Sequence, residues 1–224
     1  MRWLAGVFAV VGLAASPISS AATLDLTGAV GAAIAAGSAE VVSYSGNADF
    51  GTVTFDANPT GSDISWSLGN GLGIDCPRST AGCSIDTTYQ IDYPEILSLS
   101  FDSGPVFITS VDLGQLVPSN FKIGRYVLHI DEGGSIEGAG FDIAFSSDDA
   151  DAQGHLTVDI NRWAASLSFV PDRWELNDFT LAGISIDQTR RAVPAPGSPI
   201  PEPSSVLLMI LGGALVASQA RKHI

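Results

Sequence analysis

Few side chains in this 224-residue chain are of a type and spacing that could do chemistry. Asp92, Glu95, Glu132 and Glu137 could supply the paired carboxylates of glycoside hydrolysis, but that mechanism needs one defined pair flanking a bond. Four interchangeable candidates define none. A Ser/His/Asp arrangement would have to use His129 or His155, and no G-x-S-x-G elbow or other nucleophile signature accompanies either. His129 lies between Leu128 and Ile130, on the wet side of an apolar strand. Asp148, Asp149 and Asp151 form the one dense acidic cluster. Converging carboxylates suit Ca²⁺, but the stretch lacks the D-x-[DN]-x-[DN]-G register and the later bidentate Glu, so a hydrated acidic turn is the better reading.

Cys76 and Cys83 are the only cysteines. A metal site would want more Cys or His nearby. In an oxidising compartment the pair makes a disulfide across a short loop, contributing about 2 kcal/mol. Aromatic residues offer a different chemistry, that of a stacking platform for sugar rings. Trp66 and Trp163 sit in strand patterns and read as core. Tyr89, Tyr93 and Trp174 stand beside Gln90, Asp92, Arg173 and Glu175, polar surroundings that suit an exposed platform. For each of them, packing in a core or interface is the alternative use.

The elements that must position these residues are strands. Leu97, Leu99 and Phe101 alternate with Ser98 and Ser100, and Leu156, Val158 and Ile160 with Thr157 and Asp159. This is the period of a sheet with one dry and one wet face. Similar segments are predicted at Phe50–Phe55, Ile64–Leu68, Val106–Val111, Tyr126–Ile130, Phe141–Phe145, Ala164–Val170 and Phe179–Ile186. Gly133-Gly134, Asp102-Ser103-Gly104 and Asp172 after Pro171 read as turns. Short strands at spacings near ten residues indicate an all-β, antiparallel two-sheet sandwich, jelly-roll-like. Ala29–Ala39 is Ala- and Gly-rich, a poor helix by propensity, and reads as a loose arm or first edge strand.

Both ends of the chain read as targeting segments. Residues 1–22 have Arg2, the apolar run Trp3–Ala15, a Ser16-Pro17 break and the small residues Ser20-Ala21-Ala22. That order is the pattern of a signal peptide cut by signal peptidase near Ala22, and the run is short for a membrane anchor. A β-sandwich at 23–189 and a Pro-rich linker at 190–203 follow, then an apolar segment and basic tail at 204–224. Ser204–Ala220 holds 17 residues without a charge, enough to span about 30 Å at 1.5 Å per residue at the lower limit. Arg221 and Lys222 after it favour a cytoplasmic tail. A buried core helix is the alternative, poorly matched to a tether holding Pro194, Pro196, Pro199, Pro201 and Pro203.

Pro201-Glu202-Pro203, one apolar helix and the terminal Arg221-Lys222-His223 together resemble the PEP-CTERM sorting signal of Gram-negative bacteria. The basic cluster is shorter than the Arg run that the family often has. The resemblance implies export across the inner membrane, transient anchoring there, processing by an exosortase at or near the Pro-Glu-Pro motif, and release to the cell surface or an exopolysaccharide matrix. Gly71-Leu72-Gly73-Ile74, Gln90-Ile91-Asp92, Glu95, Leu97 to Asp102 and Pro105 to Val111 are similar to ectodomains often carried by such proteins. That likeness implies a sandwich like carbohydrate-binding modules.

Residues 23–200 carry 23 Asp and Glu against 7 Lys and Arg, a net charge of −16. With no basic stripe, such a surface repels nucleic acid. No cofactor is called for. The expectation is a non-enzymatic surface or matrix protein of a biofilm that binds exopolysaccharide or is adhesive and structural. The alternative is a secreted hydrolase acting on carbohydrate or ester bonds.

Overall fold

Alternation along the chain becomes a row of buried side chains across a sheet. In strand β7 (Ile96–Phe101) Leu97, Leu99 and Phe101 are buried while Ser98 and Ser100 are half-buried. Its neighbours β3 (Gly51–Asn58) and β14 (Ser166–Pro171) set Phe55 and Leu167 opposite Leu99, and Ala57 and Phe169 opposite Leu97. On the outer face hydroxyls pair instead, Ser98 Oγ with Ser168 Oγ at 3.0 Å. Cross-strand pairs of this kind are what stabilise a sheet and pin its register.

These strands belong to a computed structural model that describes residues 21–77, 89–123, 125–173 and 178–190. The other elements are β1 (Ala21–Asp25), helix α1 (Ala29–Ala35), β2 (Val41–Asn47), β4 (Asp63–Ser67), β5 (Gly71–Asp75) and β6 (Ile91–Asp92). The series continues with β8 (Val106–Gly114), β9 (Ser119–Ile123), β10 (Tyr126–Ile130), β11 (Gly133–Gly138), β12 (Phe141–Ser146), β13 (Leu156–Ala164) and β15 (Asp178–Asp187). One antiparallel sheet has the order β12-β11-β14-β7-β3-β2. The other runs β13-β8-β15-β5-β4, with β1 and β6 also paired to β15. β9 and β10 form a separate two-stranded ribbon.

The two large sheets share one apolar core. Phe145 of β12 meets Phe179 of β15 edge-on, ring centroids 4.9 Å apart at 83°, a favoured aromatic geometry. A mostly antiparallel, two-sheet β architecture is therefore what the alternation predicts and what the chain adopts. Among the described residues no helix is long and apolar enough to cross a membrane. The expected leader through Ser20, the Pro-rich linker from Arg191 onward and the 204–224 segment lie outside the described residues.

Three local expectations are corrected. Ala29–Ala39 is neither arm nor strand, because Ala29–Ala35 forms α1. Alanine's high propensity and burial of Ile34 and Gly31 outweigh the glycine penalty. Gly133-Gly134 is not a turn but the start of β11, and Gly134 lies close against the Val170 carbonyl of β14. Ala164–Val170 is not one strand. The chain leaves the second sheet at Ala164, passes Ala165 and enters the first at Ser166. β1, β2, β5, β6, β9 and β11 lie beyond the predicted set, and β1 begins inside the expected leader, with Ala21 and Ala22 opposite Asp187 and Ile186.

Two strand ends carry the same cap. After β1, the Thr27 hydroxyl and backbone N–H donate to Asp25 Oδ1 at 2.7 and 2.9 Å. After β15, those of Thr189 donate to Asp187 Oδ1 at 2.6 and 2.9 Å. The threonine hydroxyl leads in holding both carboxyls below their usual range near 3.8. A lowered folded pKa gives stability that is present above the unfolded value and lost as pH falls through the folded one. Asp25→Ala is accordingly expected to lower the urea midpoint at pH 7 and to differ less from the parent below about pH 3.8. A gap that stayed constant down to pH 2 would show that the cap does not stabilise the fold through its charge.

Candidate functional site

An open cavity of about 410 Å³ lies along the edge of β4. Ala32, Ala35, Ala36 and Ser38 line it from α1 and the turn after it. Asp63, Ile64, Ser65 and Trp66 of β4, Asp75 of β5, and Tyr89 make up the rest.

A tight hairpin through Leu68-Gly69-Asn70 sets the register of β4 and β5. Gly69 has φ +81° and Asn70 N–H donates to Ser67 O at 3.1 Å. This places Asp63 directly opposite Asp75 and Ser65 opposite Gly73. Side chains two residues apart on a strand share a face, so both carboxylates and Ser65 project from one side of the hairpin. Ser65 is only 7% exposed, and its Oγ meets no protein partner. Gly73 lies under the backbone of Tyr89. A Cβ there would stand 2.2 Å from Tyr89 O, so only glycine lets that segment close over the hairpin.

Trp66 faces the other way and is half-buried. Its indole N–H donates to Leu26 O at 2.9 Å, and α1 rests against the ring at Gly31. The helix thus approaches near enough to build the cavity's alanine wall. Tyr89, 49% exposed, has φ +80°, and Ser38 has φ +41°. Left-handed backbone in a side-chain-bearing residue costs about 1–2 kcal/mol, and such strain gathers at functional sites. Both residues stand on this cavity wall.

Of the sugar-platform candidates that fall among the described residues, Tyr89, Tyr93 and Arg173, only Tyr89 lines the cavity. Tyr93 is exposed beyond β6 and Arg173 is exposed after β14; neither is among the described residues lining the cavity. Trp174 lies outside the described residues, as do Cys83, Pro201, Glu202, Pro203, Arg221 and Lys222. Cys76 is buried and disulfide-bonded, and Cys83 is the chain's only other cysteine. Trp163 is half-buried and packs edge-on against Phe107 at 5.6 Å.

Of the acidic residues considered for catalysis, Glu95 and Glu132 bind backbone N–H groups. Glu132 is buried; its Oε2 accepts the Val117 N–H at 2.5 Å, and its own N–H donates to Ser147 Oγ at 3.0 Å. Glu95, also buried, accepts the Asp92 N–H at 3.0 Å. Glu137 meets the Ser135 hydroxyl at 3.4 Å on β11. Asp148 and Asp149 sit in a single 3₁₀ turn capped by Ser146. Asp151 accepts the backbone N–H groups of His155 and Gln153, each at 2.9 Å. The His155 bond leads in lowering its pKa. Among the described residues no three His, Cys, Asp or Glu side chains converge as a metal site.

Asp63, Asp75, Ser65 and Ser38 were not singled out by sequence. The available signal was the Leu68-Gly69-Asn70-Gly71 turn, which fixes a hairpin and so brings two carboxylates 12 residues apart into register. No family model matches this chain, no curated protein is similar to it, and no solved structure matches it.

Proposed function

We propose that this chain is an exported, exosortase-processed protein of the cell surface or exopolysaccharide matrix, and that its β-sandwich binds carbohydrate without transforming it. The observation that carries the binding half is the β4-edge cavity. An exposed tyrosine held in strained backbone, an indole edge, two carboxylates and a buried hydroxyl there combine an apolar face with oriented acceptors, as saccharide recognition requires. The sorting half rests on the tail: Pro201-Glu202-Pro203, the uncharged Ser204–Ala220 and Arg221-Lys222, which we take as a PEP-CTERM signal whose helix anchors the chain transiently. On this reading signal peptidase and an exosortase are the processing partners, and the finer topology is a jelly roll.

Epitope-tagged protein in cells with and without exosortase tests the sorting half. The expected result is shortened protein in the surface and matrix fractions only when exosortase is present. Full-length protein retained in the inner membrane in both strains would sink it. For the binding half, Tyr89→Ala is expected to weaken retention on the host's own polysaccharide about tenfold, since it removes an exposed aromatic face on which a sugar ring could stack.

A second reading rests on the facing carboxylates. Direct cross-strand partners lie at roughly 5 Å between Cβ atoms, from which two aspartates can bring their carboxyl groups to the roughly 5 Å separation of a retaining glycosidase. New reducing ends produced by purified protein, and abolished in Asp63→Asn, would establish the hydrolase in place of the binding module.

A further inference from the structure

We infer, resting on the carbohydrate-binding reading above, that the cavity selects a sugar residue presenting hydrogen-bond donors to Asp63 and Asp75, namely free hydroxyls or an ammonium group, and excludes uronic and sulfated sugars. Two like charges set directly opposite on one sheet face destabilise the pair. Among the described residues lining the cavity, no lysine, arginine or histidine offsets that repulsion. A ligand that donates hydrogen bonds to both carboxylates offsets it. An anionic ligand adds a third like charge in a region whose surroundings are already strongly acidic.

Ser65 gives an independent pointer. Its hydroxyl lies on the same face as the two carboxylates, more than nine-tenths buried and without a protein partner, a state that disfavours the empty site. A sugar hydroxyl reaching Ser65 between Asp63 and Asp75 gives that oxygen its bond. α1 and the turn after it add an apolar wall to the cavity, built from Ala32, Ala35 and Ala36. That wall suits the C–H face of a pyranose rather than further polar substituents. At about 410 Å³ the cavity falls at the small end of ligand sites, the scale of one or two sugar rings.

The test uses protein recovered from the surface of its host, titrated calorimetrically at low ionic strength with three hexasaccharides: cellohexaose, glucosamine hexaose and mannuronate hexaose. Binding of the first two and rejection of the third is the expected result. The Asp63→Asn/Asp75→Asn variant should bind the glucosamine hexaose at least about tenfold more weakly, because charge-assisted hydrogen bonds are lost, and should admit the mannuronate hexaose. The double change removes a repulsion, so its melting temperature should not fall below the parent's, which separates lost binding from lost folding.

Mannuronate bound by the parent as tightly as cellohexaose overturns the selectivity while leaving carbohydrate binding in place. Failure of all three sugars to bind overturns both. Binding that disappears on adding EDTA assigns the carboxylates to a cation and overturns direct donor recognition.

Discussion

Phe179→Ala is expected to lower the unfolding free energy by about 3–5 kcal/mol, among the largest effects expected of a single change. Phe179 is fully buried at the start of β15 and meets Phe145 of the facing sheet edge-on. Truncation therefore removes the transfer energy of a whole ring, leaves a cavity between two sheets that cannot slide together, and breaks an aromatic pair. For a domain whose total stability is about 5–15 kcal/mol, this consumes much of the margin. Urea denaturation followed by tryptophan fluorescence measures it. Tyr126→Ala, at a side chain 67% exposed on the β9–β10 ribbon, is the matched control and should stay within about 0.5 kcal/mol. A loss below about 1 kcal/mol at Phe179, well under the range for a buried ring, would mean that the two sheets do not share a core.

The second large effect has the opposite sign from the one propensity gives. Replacing glycine by alanine inside a helix ordinarily stabilises by about 1 kcal/mol. At Gly31 a Cβ would stand 2.0 Å from Leu26 O and 2.5 Å from Trp66 Cδ1. Neither backbone nor a tethered indole can yield that far, so Gly31→Ala should instead destabilise by about 1–3 kcal/mol. It should shift the Trp66 emission as α1 lifts away, and weaken binding in the cavity that α1 walls. Gly37→Ala, where nothing lies within 4 Å, supplies the contrast and should be neutral or mildly stabilising. Equal behaviour of the two variants would refute the close helix–indole contact.

Gly31 also shows where reading the sequence stops. Its residue type was legible, but its reason was not. In a string of alanines a glycine reads as a helix breaker, whereas here it is the contact surface of the helix. The strands with strict alternation, β7 and β13 above all, were legible because one face is dry and the other wet. β5, buried on both faces, has no alternation to read, and β2 lies largely exposed at a sheet edge. Tyr89 could be proposed from its polar neighbours, but its partners in the cavity could not. Asp63 and Asp75 become neighbours only through the register of a hairpin, and Trp66 reads as core because its half-exposed edge has no sequence signature. In the acidic turn at Asp148–Asp151, Asp151 accepts the backbone N–H groups of Gln153 and His155, the local bonds that a carboxylate in a short turn finds close at hand.

The position of β15 carries a consequence for the order of events in time. This strand, near the chain's end, sits inside its sheet and hydrogen-bonds to β8, β1, β5 and β6. The hydroxyls of Thr23 and Ser185, which meet across β1 and β15, are 162 residues apart in sequence. The strands of the other sheet all lie between Val41 and Pro171 and can pair earlier. Delivered from its N-terminus, by a ribosome or through a channel, the chain cannot close its second sheet until residue 187 has emerged. Until then the apolar faces of β8 and β5 lack the strand that joins them, and contacts of such long sequence separation form slowly. The second sheet therefore stays open for most of the chain's passage, and closes only when β15 arrives to join β8 to β5.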